Sequence, residues 1–167
     1  LAARHPSSSL EEAIKSALNQ VKGSYCITML SDDRLLVARD PLGVRPMCLG
    51  RLEKAWIVAS ESCALDLLGA TYVRDIEPGE LLVIDDSGCR SLRIAESAHR
   101  AHCIFEYVYF SRPDSLIFGH SCDKIRRRLG KQLAHECPAE ADVVIAVPDS
   151  ANTAALGFSH RSGIRFE

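Results

Sequence analysis

Close cysteine pairs are missing from this 167-residue sequence. The two nearest of its seven cysteines, Cys89 and Cys103, stand 14 positions apart, so there is no Cys-x-x-Cys pair. A structural zinc site normally contains such a pair, and a secreted disulfide framework is typical of shorter, cysteine-dense chains. We therefore expect thiols in a reducing compartment, which favours a cytoplasmic location.

The sequence also lacks an excess of charge of one sign and a long apolar run. Twenty Lys and Arg residues against 22 Asp and Glu residues give a net charge of −2, so no overall basic field exists for nucleic acid or an anionic membrane surface. No segment approaches the roughly 20 apolar residues that a membrane-spanning helix requires. With 47% hydrophobic and 25% charged residues, the composition is that of a globular protein.

The first part of the chain predicts one helix followed by antiparallel strands. Ser9-Leu-Glu-Glu12 is a capping box, and an apolar stripe from Leu10 to Val21 follows it at helical spacing, with Gly23 placed to end the helix. Short β-branched or aromatic runs then alternate with tight turns, and a short helix at 62–68 interrupts them. The predicted strands are 24–30, 34–38, 46–50, 56–60, 72–74, 80–84 and 89–94.

From about residue 95 the pattern changes to alternating helices and strands. We predict a helix at 122–137, a strand at 142–147, a helix at 151–159 and a strand from Gly163. The 142–147 run is continuously apolar, which is typical of a strand buried on both faces of a parallel sheet. The first part is therefore α+β and the second α/β. The face of the 122–137 helix that we expect to be buried comprises Ile125, Leu129, Leu133 and Ala134.

Three segments carry recognisable motifs. The first is Ala38-Arg-Asp-Pro-Leu-Gly-Val-Arg-Pro46, followed by Val58-Ala-Ser-Glu-Ser62. The second is Cys103-Ile-Phe-Glu-Tyr-Val-Tyr-Phe-Ser-Arg-Pro-Asp-Ser115. The third is Ala141-Asp-Val-Val-Ile-Ala-Val-Pro-Asp-Ser150 with Ser162-Gly-Ile164. In this order and spacing, the segments resemble the amidophosphoribosyltransferase family, also called glutamine phosphoribosylpyrophosphate amidotransferases.

The resemblance implies two domains. Residues 1–95 would form the C-terminal part of an N-terminal-nucleophile (Ntn) glutaminase domain, and residues 96–115 the junction between domains. Residues 116–167 would begin a type I, Rossmann-like phosphoribosyltransferase domain. The first motif is shared by class II amidotransferases in general, whereas the second is specific to this family.

The resemblance also implies a two-step activity. In this family, ammonia released from glutamine passes through the protein and displaces pyrophosphate from phosphoribosyl pyrophosphate, which gives 5-phosphoribosylamine, the first step of purine synthesis. A sealed path keeps the ammonia unprotonated, since free ammonia is mostly ammonium at neutral pH. The family further implies Mg²⁺ at the second site, where a divalent cation stabilises the leaving pyrophosphate, and a homo-oligomer.

By its place in the second motif, Cys103 resembles a ligand of the [4Fe-4S] cluster that one branch of the family contains. Such a cluster requires about four thiolates, and the family's other ligands lie beyond Glu167. Taken without the resemblance, Cys103 is a buried structural thiol, so both interpretations stay open. Cys122 and Cys137 match no ligand position and are interpreted as structural.

Asp149 and Ser150 follow a predicted parallel strand and precede a predicted helix. Open α/β sheets bind ligands at this position, and helix N-terminal amides accept anions there. By resemblance, Ser150 belongs to the site for magnesium and phosphoribosyl pyrophosphate, and Asp149 orients the loop or meets the metal indirectly. The alternative is that Ser150 is simply the N-cap of the helix.

Val83-Ile-Asp-Asp-Ser-Gly88 has the composition of a phosphoribosyl pyrophosphate loop but not its context. A returning strand follows it instead of a helix, and it precedes the Pro148-Asp-Ser150 segment. We interpret it as a hairpin turn.

The first motif and the basic run of the later helix each have two readings. Asp40 is expected to accept hydrogen bonds from its own turn and Gly43 to adopt a positive φ, either as plain turn architecture or in support of a glutamine site or domain interface. For the basic run, a solvated helix face is favoured over a nucleotide-effector or subunit contact. The run comprises Lys124, Arg126, Arg127, Arg128 and Lys131.

No residue is assigned a catalytic role, and no histidine a metal. An Ntn glutaminase uses the α-amine and thiol of its first residue, and Leu1 supplies no thiol. We therefore expect an internal fragment without a complete active site, its true phosphoribosyl pyrophosphate loop lying downstream. Two alternatives stay open: a non-catalytic iron–sulfur or phosphosugar-binding module, and a different class II glutamine amidotransferase.

Overall fold

The computed structural model describes residues 9–95 and 99–167, and the chain divides into two compact units. Unit 1 contains the described residues up to Ser60 together with 68–103. Unit 2 contains residues 61–67 and 104–167. One boundary, between Cys103 and Ile104, lies within the predicted 96–115 junction, whereas residues 61–67, predicted in the first domain, belong to unit 2. Residues 1–8 and 96–98 of the predicted domains lie outside the described residues. The predicted boundaries at residues 95 and 115 stay predictions.

Helix α1 of unit 1, Leu10–Leu18, begins where the capping box predicted. The Ser9 hydroxyl oxygen accepts a hydrogen bond from the Glu12 amide at 3.3 Å. The helix ends before the predicted Gly23, because tighter i→i−3 backbone bonds take over after Leu18 and turn the chain away. Val21 is therefore exposed instead of extending the apolar stripe.

Two antiparallel sheets form the rest of unit 1, as the close spacing of the strands predicted. Sheet order β1-β2-β6-β7 joins Cys26–Leu30, Arg34–Arg39, Glu80–Asp85 and Gly88–Arg93. Sheet order β4-β3-β5 joins Ala55–Ala59, Cys48–Leu52 and Thr71–Asp75. Asp85 pairs with Gly88, which confirms that the Asp-Asp-Ser-Gly segment is a hairpin turn.

Strands β2 and β6 divide the core of unit 1 into two layers, because successive side chains of a strand face opposite sides. One layer lies under α1, and the other includes residues that follow or belong to the smaller sheet. The first layer contains Ile14, Leu18, Leu36, Ala38, Leu81, Val83 and Ile94. The second contains Val37, Met47, Leu49, Ile76 and Leu82.

Unit 2 has the alternating order of helices and strands that its sequence predicted. Most of the short helix α2, Ser62–Leu68, belongs to this unit. A π-helical turn, Glu106–Phe110, and a two-residue hairpin, β8 Leu116–Ile117 with β9 His120–Ser121, come next. Helix α3, Cys122–Glu136, strand β10, Val143–Val144, helix α4, Asn152–Ser162, and strand β11, Arg165–Phe166, complete it. Strands β10 and β11 pair in parallel.

The predicted strand at 142–147 is shorter and more exposed than expected. Only Val143–Val144 is paired, and Ile145 and Val147 are 73% and 79% exposed. Burial on both faces is therefore wrong for the described chain. The reason is that β11 is its one partner among the described residues, so no sheet extends on its other side.

Helix α3 buries only part of the predicted face: Ala134 is buried as expected and Ile125 is half-buried, but the two leucines are not buried. Leu129 and Leu133 are 44% and 52% exposed. The buried positions recur every four residues and include an arginine, which donates to backbone carbonyls, and a glycine, where the backbone of α4 comes too close for any side chain. These positions are Cys122, Arg126, Gly130 and Ala134.

Candidate functional site

Arg39 lies at the end of β2 with its side chain buried at 2% exposure. Its guanidinium donates hydrogen bonds to three backbone carbonyls: Gly43 at 2.9 Å, Arg45 at 3.0 Å and Ile76 at 2.5 Å. Burial lowers the pKa of the Arg39 guanidinium. Arg39 thus fixes the turn that follows β2 through hydrogen bonds to its carbonyls.

Asp40 stabilises the same turn through its amides, whereas Arg39 binds its carbonyls. Its fully buried carboxylate accepts hydrogen bonds from the amides of Leu42 at 3.0 Å and Val44 at 3.3 Å. Gly43 adopts a φ of +62°, and a Cβ there would stand 2.6 Å from Cγ of Pro78. Both expectations for this turn, bonding of Asp40 to its own amides and a positive φ at Gly43, are confirmed.

Cys103 is held beside this turn in unit 1. Its amide donates to the Val44 carbonyl at 3.0 Å, and the amide of Ala101 donates to the Leu42 carbonyl at 2.9 Å. The Cys103 side chain is half-buried. Between them, His102 has a pKa lowered by burial and by the charge of Arg39.

The described cysteines form neither a disulfide nor a metal-binding group. All seven lie in the described ranges, and none is bonded to another. Across residues 9–95 and 99–167, no three His, Cys, Asp or Glu side chains come together in a way that could hold a metal ion.

Asp149 and Ser150 lie in unit 2, between β10 and α4. Asp149 is exposed and Ser150 half-buried, and the peptide bond between Pro148 and Asp149 is cis. The N-cap of α4 is Ala151, and no side chain caps the helix. Ser150 is therefore not the N-cap, as the alternative interpretation had it; it lies one residue before the N-cap and two before the first helical residue.

A cleft of about 350 Å³ opens beside these two residues. Arg126 and Arg112 line it together with the 148–150 loop. Arg126, only 2% exposed, donates to the carbonyls of Tyr107 at 2.5 Å and Ser111 at 2.7 Å. The prediction of a solvated basic face is therefore wrong for Arg126. The other four basic residues of that run are exposed.

An apolar groove of about 590 Å³ also borders Ser150. Leucines of α3 and the end of the β10 segment form much of its lining, so the leucine face predicted to be core is a groove wall instead. The main apolar residues are Leu129, Leu133, Ile145, Val147 and Phe158. The groove was not predicted from the sequence, although part of the apolar 142–147 run lines it.

Glu61 and Ser62 connect two of the sequence motifs in unit 2. The Glu61 carboxylate accepts hydrogen bonds from the Arg112 amide and from the Ser115 hydroxyl, both at 2.8 Å. The Ser62 hydroxyl oxygen accepts one from the Leu116 amide at 2.7 Å. The two motifs contain these residues, but the sequence could not indicate that residues more than 50 positions apart are in contact.

Comparison with known proteins identifies the chain's relatives. Residues 4–67 match the family model of a glutamine amidotransferase domain. The amidophosphoribosyltransferase of Mycobacterium tuberculosis is 51% identical over 159 residues, which are 95% of this chain and 30% of that protein. That of Bacillus subtilis is 46% identical over 158 residues, which are 95% of this chain and 33% of that protein.

This chain is similar over nearly its whole length to amidophosphoribosyltransferases. A solved structure of glutamine phosphoribosylpyrophosphate amidotransferase from B. subtilis, complexed with ADP and GMP, has a TM-score of 0.97 and 45% sequence identity. The match covers 100% of this chain and 37% of that one. The chain thus spans about a third of the length of its relatives. The family resemblance drawn from the three motifs is confirmed, as is a glutamine amidotransferase domain of mixed α and β structure.

No described helix has both the length and the apolar character needed to cross a membrane.

Proposed function

We propose that the protein containing this chain makes 5-phosphoribosylamine, pyrophosphate and glutamate from phosphoribosyl pyrophosphate, glutamine and water. The observation that carries the proposal is the 148–150 loop. It joins a parallel strand to a helix N-terminus and lies in a cleft with two arginines. In this proposal unit 1 is part of an Ntn glutaminase domain, and unit 2 begins a type I, Rossmann-like phosphoribosyltransferase domain.

The 148–150 loop is suited to a pyrophosphate group. No side chain caps the first amides of α4, so these amides and the helix dipole favour an anion in front of them. Arg112 and Arg126 line the same cleft; the Arg112 guanidinium is ion-paired with Asp114 at 2.8 Å, and the buried Arg126 guanidinium donates to the carbonyls of Tyr107 and Ser111. Because negative charge develops on the pyrophosphate as it leaves, donors fixed beforehand at this point stabilise the transition state more than the bound substrate.

The donors at this loop also fit Mg²⁺. Asp149 and Ser150 offer a carboxylate and a hydroxyl, the hard oxygen ligands that Mg²⁺ prefers, and the ion commonly uses only one or two carboxylates with substrate phosphates and water. Ser150 would hold the ion, with Asp149 meeting it only indirectly, and the ion when bound would neutralise charge on the pyrophosphate. Ser150 would contact it or one of its waters, and Asp149 would orient the loop.

Cys103 fits one thiolate position of a [4Fe-4S] cluster. Its side chain is half-buried, and a backbone hydrogen bond fixes its main chain. The cluster, when bound, would supply a covalent link between Cys103 and three thiolates outside this chain. We also propose a cytoplasmic location, supported by the absence of disulfides among the seven cysteines, and a homo-oligomer, supported by family resemblance.

The relatives disfavour the two alternative functions. The identity of 46–51% covers 95% of the chain in the mycobacterial and B. subtilis enzymes, so it includes the second unit as well as the glutaminase motif. A different class II amidotransferase would be expected to match over the first unit alone. A non-catalytic module has no observation in its favour.

The test is the release of pyrophosphate and glutamate by the full-length protein supplied with Mg²⁺, glutamine and phosphoribosyl pyrophosphate. Asp149→Asn and Ser150→Ala are expected to lower the rate of pyrophosphate release by about tenfold or more, because each change alters an oxygen ligand or a loop-orienting group of the proposed ion site. Asp142→Asn, an exposed carboxylate of the same unit, serves as the control. Glutamate formation without any pyrophosphate release would contradict the proposal.

A further inference from the structure

We propose that Arg39 and Asp40 are positioning residues for Cys103. The turn that they build carries the two carbonyls to which the 101–103 segment is hydrogen-bonded. The inference rests on the proposed role of Cys103 as a cluster ligand, and it assigns the purpose of the Arg-Asp-Pro-Leu-Gly turn.

The carbonyls of the turn alternate between two partners. Gly43 and Arg45 accept hydrogen bonds from the Arg39 guanidinium, at 2.9 and 3.0 Å. Leu42 and Val44 accept them instead from the amides of the 101–103 segment, at 2.9 and 3.0 Å. The turn is therefore fixed by Arg39 on one side and holds the Cys103 backbone on the other.

Asp40 acts on the same two residues that hold Cys103. Its carboxylate accepts hydrogen bonds from the amides of Leu42 and Val44. The amide and the carbonyl of each of these two residues are therefore both hydrogen-bonded. The Asp40 amide donates to the Tyr25 carbonyl at 2.9 Å, which ties the start of the turn to the chain before β1. Loss of the carboxylate would release the two peptide groups that position Cys103.

Burial leaves this arrangement little freedom. Arg39 and Asp40 are 2% and 0% exposed, so water cannot easily replace the bonds that either side chain makes. Gly43 has no room for a Cβ, since Pro78 would lie 2.6 Å away. Groups that orient a metal ligand typically change metal affinity by about 10- to 100-fold when they are mutated. An effect of that size is expected at Cys103.

The experiment compares cluster retention in the full-length protein, purified without oxygen, for Asp40→Ala, Asp40→Asn and Arg39→Lys. Asp32→Ala, an exposed carboxylate of the same unit, is the matched control. Iron and acid-labile sulfide per chain are measured, with the rate at which a chelator bleaches the cluster's visible absorbance. Asp40→Ala is expected to lose the cluster about tenfold faster than the wild type. Asp40→Asn keeps one acceptor oxygen, so its rate of cluster loss should lie between those of Asp40→Ala and the wild type.

A second readout does not depend on iron. In cluster-free protein, the rate of alkylation of Cys103 by iodoacetamide is followed by peptide mass spectrometry, with the exposed Cys137 as internal reference. Asp40→Ala and Arg39→Lys are expected to change the rate at Cys103 several-fold and leave that at Cys137 unchanged. If Asp40→Ala does not fold, Arg39→Lys, which keeps a positive charge but cannot bond all three carbonyls, carries the test.

The outcomes separate this inference from the proposed function. If Cys103→Ser retains its iron, the ligand role fails and the alkylation rates alone decide whether the turn positions Cys103. If Cys103→Ser loses iron while both Asp40→Ala and Arg39→Lys bleach and alkylate at wild-type rates, the positioning role is overturned and the ligand role stands.

Discussion

Gly130 of α3 lies so close to Ala154 of α4 that a Cβ on the glycine would stand 1.8 Å from the Ala154 carbonyl oxygen. Gly157 of α4 repeats the relation, with the Arg127 carbonyl oxygen 2.2 Å from the position of its Cβ. Both neighbours are backbone atoms, so no side-chain rotation relieves the clash. The two helices that lie next to the 148–150 loop are therefore packed through glycine.

Gly130→Ala is expected to destabilise unit 2. Overpacking costs about 1–3 kcal/mol, and more where backbone must move, which exceeds the roughly 1 kcal/mol that alanine gains over glycine in a helix. Hydrogen exchange of α3 and α4 peptides in the full-length protein measures the effect. Lys131→Ala, an exposed change one residue along, is the control, and unchanged or slower exchange in Gly130→Ala would contradict the packing described here.

Glu61→Ala should loosen the 112–116 segment. The carboxylate accepts from the Arg112 amide and the Ser115 hydroxyl, and a hydrogen bond to a charged group contributes about 1.5 kcal/mol or more. Exchange of the Arg112 amide is therefore expected to accelerate by about tenfold in the full-length protein. Glu140→Ala, an exposed carboxylate of the same unit, should leave it unchanged. Equal rates in both variants would remove Glu61 from this role.

Asp85 should make the stability of unit 1 depend on acid pH. Its carboxylate accepts from the Ser87 hydroxyl and from the Arg90 guanidinium, and these bonds lower its pKa from 3.8 to about 2. Because the pKa is lower in the folded state, the stabilisation is complete above pH about 4 and is lost as the pH falls through about 2.

Asp85→Asn tests this pH dependence. Between pH about 4 and about 2, its free energy of unfolding is expected to fall less steeply than that of the wild type, as measured by urea unfolding. Asp86→Asn, at the exposed neighbouring position, should keep the wild-type slope. Parallel pH curves for Asp85→Asn and the wild type would mean that the hairpin bonds do not stabilise the folded state.

Local patterns predicted the elements of the fold well where short-range chemistry decides them. The Ser9 cap, the strands of the larger sheet, the 85–88 hairpin and the start of α3 follow from side-chain bonding and alternation near each residue. Prediction failed where contacts with distant segments of the chain determine which residues are buried. The buried face of α3 depends on how closely α4 approaches, and that approach selects Gly130 over Leu129 and Leu133.

The candidate site was only partly predictable for the same reason. Motif resemblance named Cys103, Asp149 and Ser150, and these remain predictions. It could not indicate that Glu61 binds the 112–115 segment, or that Val44 holds the Cys103 amide, since both contacts join residues more than 50 positions apart. Arg126 was misjudged because its place in a basic run favoured solvent, whereas carbonyls of Tyr107 and Ser111 satisfy it in the interior.

The most direct test of the proposed function is the fate of the glutamine amide nitrogen. Full-length protein is supplied with amide-¹⁵N glutamine, phosphoribosyl pyrophosphate and Mg²⁺ in a background of unlabelled ammonium, and the phosphorylated sugar product is examined by mass spectrometry. The account predicts ¹⁵N on the sugar in proportion to the pyrophosphate released. Release of ¹⁵N as ammonia, with phosphoribosyl pyrophosphate left unconsumed, would contradict it.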